Sequence, residues 1–255
     1  IEQKPSQLAK GRTSVMTLLW RMAESTEPER LSWMGRGENP VAMFRSSWDK
    51  DATYLAIKGG APQLSHAHMD IGTFVVDAEG VRWAMDLGPE SYHRIESMGI
   101  SLWHSNQDDD RWKLFRYSNF GHNTLAVDGK LQRADSFAPM IRYSDDSKFP
   151  HAAFDLSDVY EEQLKKAVRG ASLLPSGRVL IQDELTADDE PATVRWNMVT
   201  PAKIDIKSDK QAILRQDGKT LGFKVITDKN VQLKTFSTKP RTKYDAKNPG
   251  TRMIG

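Results

Sequence analysis

Short runs of alternating apolar and polar residues, separated by compact turn signals, restrict the fold of this chain more than any other feature. After Pro40 these runs read VAMFRS, TYLAIKG, GTFVVDA, VRWAMDL, NTLAVDG, RVLIQDEL, TVRWNMV, AILRQDG and LGFKVIT. The turn signals between them are Glu79-Gly80, Asp128-Gly129, Ser176-Gly177 and Asp217-Gly218. Because such short turns join antiparallel strands, the pattern predicts a mostly β, multi-stranded antiparallel β-sandwich and not βαβ units.

The first part of the chain has a different pattern. Within residues 14–22, apolar residues recur at helical spacing, namely Val15, Leu18, Leu19 and Met22. Thr26 and Pro28 are suited to start a second short helix over TEPERLSWM. We therefore predict a short helical segment over residues 1–36, followed by a β-sandwich domain over residues 37–255. The chain begins with Ile1 and ends in TRMIG, which we interpret as the ends of a piece of a longer protein.

Composition excludes several kinds of partner. The 36 basic and 34 acidic residues give a formal charge of +2, which is too small to indicate binding to nucleic acid or to a membrane surface. No apolar run approaches the roughly 20 residues that span a bilayer. There is no cysteine, so a bound metal would need imidazole and carboxylate ligands. We expect neither a nucleic-acid partner nor a membrane partner.

Two histidines stand close together in QLSHAHMDIG, in a chain with six histidines. If this segment were extended, His66 and His68 would project from the same face. A hairpin between the next two runs would make His68 and Asp86 cross-strand neighbours, and His122 precedes a further strand. Two imidazoles and one carboxylate are a common ligand set for zinc. The alternative at each position is an ordinary hydrogen-bonded surface histidine.

Two long segments, SHAHMDIGTFVVDAEGVRWAMDLGPESY and DRWKLFRYSNFGHNTLAVDG, resemble the C-terminal β domain of the heparinase II/III-like polysaccharide lyases. The resemblance is dense from Ser65 to Gly129, and elsewhere after Pro40 it rests on the pattern of strands. It implies β-elimination of a uronic-acid polysaccharide, either a glycosaminoglycan such as heparin or heparan sulfate, or alginate. The implied partners are this acidic polysaccharide and an N-terminal α/α toroid, and the substrate class implies a periplasmic or secreted location.

The resemblance also assigns roles to residues. His68, Asp86 and His122 match the ligands of one zinc ion, regarded in the family as chiefly structural, and His66 matches the catalytic histidine. A neutral imidazole can act as a general base near pH 7. The second acid/base, usually a tyrosine, and the carboxylate-binding residue belong in this family to the toroid, so we expect the 255-residue chain alone to be inactive. The tyrosines to which we do not assign that role are Tyr54, Tyr92 and Tyr117.

The stretch from Pro89 to Asn119 is long for a connection between strands, and long connections are usually functional or disordered. Its aromatic residues favour order. Aromatic faces together with cationic and amide donors are suited to binding a charged sugar ring. The predicted substrate contacts are Tyr92, His104, Trp112, Arg116 and Asn119. A core-anchoring role for Trp112 and Phe115 is the alternative.

Two other stretches are interpreted from their composition. The stretch Arg133–Phe154 is a second long connection of similar character. The stretch KKAVR is interpreted as exposed charge.

Two other functions remain open. His68 and Asp70, with His122, match the HxD…H iron site of 2-oxoglutarate oxygenases, and Arg133 stands at a suitable distance to bind a keto acid. That function requires Asp70 and iron, whereas the lyase function requires Asp86 and zinc. The third possibility is a non-catalytic carbohydrate-binding sandwich that is braced by the metal.

Overall fold

The computed structural model describes residues 29–255, so the helix predicted within residues 14–22 lies outside the described residues. Leu31–Gly255 forms one compact unit. The second predicted helix is wrong in its described part, because Ser32–Gly35 is a strand, β1. It pairs along its whole length with the next strand, and this tertiary pairing outweighs the local helical pattern.

The first sheet has five antiparallel strands in chain order: β1, β2 (Val41–Arg45), β3 (Tyr54–Lys58), β4 (Phe74–Ala78) and β5 (Val81–Ala84). Residues of β2 and β3 alternate between buried and partly exposed, as expected of strands with one face on a core. The hairpin predicted between β4 and β5 is confirmed. Its turn residues, Glu79 and Gly80, have positive φ angles of 53° and 74°, the backbone that favours tight hairpins.

The other described strands follow in chain order: β6 (Leu125–Val127), β7 (Met140–Ser144), β8 (His151–Asp155), β9 (Leu164–Leu173), β10 (Val179–Ala187), β11 (Val194–Trp196), β12 (Met198–Thr200), β13 (Lys203–Ser208), β14 (Gln211–Gln216), β15 (Lys219–Lys224), β16 (Thr235–Phe236) and β17 (Arg252–Ile254). They form sheets of order β10-β9-β8-β7, β11-β6, β12-β17-β16 and β13-β14-β15. The pairings within these sheets are antiparallel.

The main core lies between the first sheet and the four-stranded sheet, where β9 packs on β2 and β3. Phe44 and Leu55 from one side and Phe154 and Ala167 from the other are fully buried in it. Removal of this apolar surface from water is the main stabilising contribution to the fold. The predicted antiparallel β-sandwich is confirmed.

The two long connections are folded in different ways. Pro89–Asn119 contains one α-helix, α1 (Tyr92–Ser97), and a 3-10 turn at Asp110–Lys113. This connection packs in a second core cluster, whose members include Met69, Ile95 and Trp112. Arg133–Phe154 is not a plain connection, because it contains β7 and most of β8.

The interpretation of KKAVR as exposed charge is wrong for Arg169, which is fully buried in β9. Its guanidinium group donates to both carboxylate oxygens of Asp183 on β10, at 2.7 and 2.9 Å. Its Nη1 also donates to the backbone oxygens of Gly72 and Asn123, at 3.0 Å each. Arg169 therefore ties the four-stranded sheet to the segments that carry the histidines of the candidate site.

Candidate active site and metal centre

His122, which is fully buried, and Asp86, which is partly buried, lie at the centre of a cluster. Asp86 comes two residues after β5, and His122 ends a 3-10 turn at Asn119–Gly121. Nδ1 of His122 lies 2.6 Å from Oδ2 of Asp86. The other ring nitrogen, Nε2, has no hydrogen-bond partner although the histidine is fully buried. A buried polar atom without a partner lowers stability, so Nε2 is a candidate for binding a further group.

The electrostatics of this pair favour the ionised form of Asp86. Burial alone would raise the pKa of the carboxyl, but the charge of His122 and its hydrogen bond hold that pKa well below its usual range. Burial likewise disfavours a charge on His122, but Asp86 outweighs this and raises the pKa of His122. The carboxylate is therefore charged at neutral pH and can accept a hydrogen bond or bind a cation.

His68 completes the cluster. It is 9% exposed, and its ring centroid lies 5.4 Å from that of His122 and 4.3 Å from that of Tyr117. Burial lowers the pKa of His68 to about 4, and the charge of His122 adds to this effect. The ring is therefore neutral near pH 7, which is the form that binds metals.

The predicted cross-strand pairing of His68 with Asp86 is wrong. The hairpin strands begin at Phe74 and end at Ala84, so both side chains lie in flanking segments beyond the paired residues. The main chain next to His68 is fixed instead by a bond from Met69 N to the carbonyl oxygen of Tyr117, at 2.9 Å.

The structure thus brings His68, Asp86 and His122 into one cluster. Among residues 29–255, no three histidine or acidic side chains already have the arrangement of a metal site. The donor types still fit zinc, since the cluster offers two imidazoles, an ionised carboxylate and one buried ring nitrogen without a partner. The donor atoms of these residues are therefore suited to zinc, and their side chains would have to move closer together to enclose the ion.

His66 points to different surroundings. The expectation that His66 and His68 share one face of an extended chain is wrong, because His66 has a left-handed φ of 62°. Such a backbone is uncommon for a residue other than glycine and often marks a functional site. The side chain of His66 is exposed, and its Nδ1 lies 2.7 Å from Oη of Tyr92. The turn at His66 separates a buried imidazole from an exposed one.

The predicted substrate contacts fall into two groups, and the first of these can be reached from solvent. Tyr92 is half-buried beside His66, and His104 is exposed. Arg116 is partly exposed, but its guanidinium nitrogens already donate to Asn248 Oδ1 at 2.9 Å, Pro89 O at 3.0 Å and Lys247 O at 3.3 Å. Arg116 therefore links the segment before α1 to residues 247 and 248.

The second group, Trp112 and Asn119, is buried. Trp112 is 2% exposed and its indole N–H donates to the carbonyl oxygen of Asn106 at 2.8 Å. The amide of Asn119 donates to the carbonyl oxygens of Leu125 and Lys130, at 3.1 Å each. Neither side chain reaches the surface in this arrangement, so we reassign both from substrate contacts to packing roles. For Trp112 this is the core-anchoring alternative.

Trp103 is a surface residue that the sequence did not single out. Its side chain is 68% exposed, and it meets Tyr92 edge to face with ring centroids 6.0 Å apart. Its indole N–H donates to Glu96 Oε1 at 2.6 Å, which fixes the orientation of the ring. The only available signal was the aromatic character of the loop, which does not distinguish Trp103 from the buried Trp112.

Asn123 is a second residue that the sequence did not single out. It is fully buried, and its amide donates to the carbonyl oxygens of Phe74 and Met85, at 2.7 and 3.0 Å. Its Oδ1 accepts from Val199 N at 2.6 Å. Asn123 therefore joins β4, the end of β5 and β12 directly beside His122. Its position next to that histidine was the only signal in the sequence.

The geometry does not favour an oxygenase site. Asp70 forms an ion pair with Lys58, with Oδ1 2.7 Å from Nζ. It is Asp86, and not Asp70, that bonds to His122. Arg133 makes an ion pair with Asp135 at 2.7 Å on the surface.

These features define an antiparallel β-sandwich domain with a cluster of two buried histidines and a partly buried aspartate beyond the end of its first sheet. The profile of the family described as "Heparinase II/III-like, C-terminal" matches residues 42–252. The chain belongs to this family, which confirms the resemblance seen in the sequence. None of the curated proteins matches it.

Solved structures share the fold. One is a heparinase III with methylated lysines, at a TM-score of 0.69 and 20% identity, covering 98% of this chain and 36% of that one. Another is the heparan sulfate lyase HepC from Pedobacter heparinus, at a TM-score of 0.72 and 17% identity. That match covers 100% of this chain and 39% of the lyase. The chain therefore spans well under half the length of these proteins. Within the described residues, no helix has the length and apolar character needed to cross a bilayer.

Proposed function

We propose that this chain is the metal-bearing β domain of a polysaccharide lyase that cleaves a uronic-acid polysaccharide by β-elimination. The observation that carries the proposal is the separation of two neighbouring histidines, with His68 buried against His122 and His66 exposed two residues earlier. One imidazole is thereby available to a metal and the other to a substrate. Both lie in the part of the chain that matches the family. The activity belongs to a longer protein that includes an α/α toroid.

The reaction explains why an exposed imidazole is needed. A base removes the proton at C5 of the uronate, the electrons of that bond form a C4–C5 double bond, and the bond from C4 to the leaving oxygen breaks. The leaving oxygen takes up a proton. His66 is suited to accept the C5 proton, since its imidazole is exposed and histidine is the most common general base in enzymes. We assign the second acid/base and the group that neutralises the uronate carboxylate to the toroid.

We further propose that His68, Asp86 and His122 hold one zinc ion. Support comes from the neutral state of His68, the ionised state of Asp86 and the unpartnered Nε2 of His122. Asp86 serves either as a ligand, as the resemblance implies, or as the group that orients His122 for the metal. When bound, the ion would supply rigidity to the segment that carries His66, and the proton transfer remains with the protein side chains.

The exposed surface around His66 supports an assignment for sugar binding. Trp103 and Tyr92 present aromatic faces beside the histidine, and His104 follows in the same exposed loop. Sugar rings stack on such faces, and their charged groups bind nearby donors. Because the proposed substrate is an acidic polysaccharide, we also propose a periplasmic or secreted location.

The deciding experiment uses the longer protein with its toroid. Heparin, heparan sulfate and alginate are each incubated with it, and the absorbance of the unsaturated uronate is followed. We expect turnover of at least one of them and its loss in His66→Ala. Binding of a polysaccharide without turnover would instead indicate a carbohydrate-binding sandwich. Turnover by the 255-residue chain alone would contradict the requirement for a toroid.

A further inference from the structure

Tyr92 contacts the exposed histidine directly, and we propose that it is a positioning residue for His66. In this arrangement Oη of Tyr92 accepts the Nδ1–H of His66 and leaves Nε2 as the unprotonated nitrogen that faces substrate. The catalytic consequence rests on the proposed function above. The hydrogen bond and the position of the ring proton can be tested without any turnover.

The geometry of the contact supports this role. Nδ1 and Oη are 2.7 Å apart, and the two rings are nearly parallel, at 12°, with centroids 5.9 Å apart. At that centroid separation the rings meet along their edges through the hydrogen bond and do not overlap face to face. A bond at Nδ1 holds the imidazole in one of its two flipped orientations. Only Nε2 then remains for a substrate.

Tyr92 can position His66 because it stands on an anchored helix. It is the first residue of α1, whose cap Ser91 accepts a bond from Arg94 N at 3.4 Å. Ile95, one turn further, is fully buried in the cluster that also contains Met69. A helix of six residues is too short to be stable alone. Its order must therefore come from tertiary contacts.

Polar contacts with a segment near the far end of the chain add to this order. Nη1 and Nη2 of Arg94 donate to the carbonyl oxygens of Tyr244 and Asp245, at 2.7 and 2.8 Å. Nη1 also donates to Glu90 at 2.9 Å, and Glu90 in turn accepts from Ala246 N at 3.1 Å. These charge-assisted bonds fix the start of α1 and hence Tyr92. A catalytic side chain in a loop gains precision when its partner stands on such a rigid element.

The position of the ring proton follows from the role of base. A neutral imidazole carries one proton, and a phenol hydroxyl can either donate to Nδ1 or accept from it. If Tyr92 donated, the proton of His66 would sit on Nε2 and the neutral ring could not accept a proton there. If Tyr92 accepts, Nε2 is free to take the C5 proton. Only the second arrangement agrees with a general base at Nε2.

The first test is spectroscopic and uses the 255-residue chain with ¹⁵N-labelled histidine. Long-range ¹H–¹⁵N correlations, at a pH where the ring is neutral, show which nitrogen of His66 is protonated. We expect the proton on Nδ1, and we expect Tyr92→Phe to shift it toward Nε2. Tyr54→Phe, which removes a hydroxyl from β3 in the first sheet, is the control and should leave the His66 signals unchanged. A proton on Nε2 in the unmodified chain, or no change in Tyr92→Phe, would overturn the proposal.

The second test measures turnover in the longer protein. Tyr92→Phe keeps the aromatic ring, so we expect an unchanged melting temperature and a kcat lowered by roughly 10–100-fold, with KM little altered. An unchanged kcat would contradict a positioning role. If the unmodified protein turned over no uronic-acid polysaccharide, the proposed function would fail, and the spectroscopic result would still decide whether Tyr92 sets the proton of His66.

Discussion

Nδ1 of His122 donates to Oδ2 of Asp86 across 2.6 Å, and this one bond joins segments 36 residues apart in the chain. Because it occupies Nδ1, it leaves Nε2 as the free nitrogen of a fully buried ring. Metal-binding histidines commonly have such a partner on the second nitrogen.

Replacing His122 with alanine should remove the metal and lower stability together, since the free energy of metal binding is partly free energy of folding. The measurements are zinc per chain by elemental analysis and the melting temperature with and without a chelator. His151→Ala is the matched control, because its Nδ1 bonds the carbonyl oxygen of Phe149 at 2.9 Å, away from the cluster. Zinc content that is unaffected by His122→Ala would contradict the metal centre.

Asp86→Asn tests the role of the carboxylate while keeping the size of the side chain. If Asp86 is a ligand, as we expect, zinc should be lost as completely as in His122→Ala. If Asp86 only orients His122, zinc should still bind, with affinity weaker by about 10–100-fold. A zinc titration of the two variants side by side separates these outcomes.

His66→Ala in the longer protein should lower turnover by roughly 10²–10⁴-fold, the range for loss of a general base. Because His66 is exposed and its Nδ1 bonds Tyr92, zinc content and melting temperature should stay nearly constant. Steady-state kinetics, elemental analysis and thermal unfolding of the same preparation provide the check. Joint loss of zinc and turnover would mean that His66 belongs to the metal centre.

Arg169→Met should destabilise the fold by about 3–5 kcal/mol, because it leaves the carboxylate of Asp183 without its buried partner. Lys166→Met is the control on the same pair of strands. Lys166 bonds Glu184 at 3.1 Å on the exposed face, where such a pair contributes only about 0–1 kcal/mol. Urea unfolding of both variants measures the difference. Equal destabilisation would show that burial of Arg169 is not what matters.

Trp103→Ala should raise KM for the polysaccharide by about 2–10-fold, as expected from loss of roughly 0.5–1.5 kcal/mol of aromatic contact. Stability should hardly change, because the side chain is 68% exposed. Trp33→Ala on β1 is the control, since that indole is 51% exposed and stands on another element. A KM raised equally in both variants would point to a nonspecific effect.

Much of the fold could be predicted because its signals are local. The turns at Glu79-Gly80 and Asp217-Gly218 depend on a few residues with left-handed backbone, and both link paired strands as expected. Strand β9 was not predicted, because its two lysines face solvent. The burial of Arg169 depends on Asp183, a partner 14 residues away that no local pattern reveals.

The candidate site was only partly predictable, because it too depends on contacts between residues that are distant in the chain. Family resemblance selected His68, Asp86 and His122, which meet in the structure. It did not predict that a left-handed residue at His66, rather than strand alternation, would separate the two imidazoles. It also did not distinguish the exposed Trp103 from the buried Trp112, since the packing of the intervening loop decides which ring faces solvent.

The brace on α1 has a consequence for biosynthesis. Tyr92 is held through Arg94 by the carbonyl oxygens of Tyr244 and Asp245, about 150 positions further along the chain. A ribosome adds these residues long after the histidines have emerged. A nascent chain therefore lacks an ordered Tyr92 beside His66 until that late segment docks, so premature termination before it, which also removes β17, should leave the reactive face unformed.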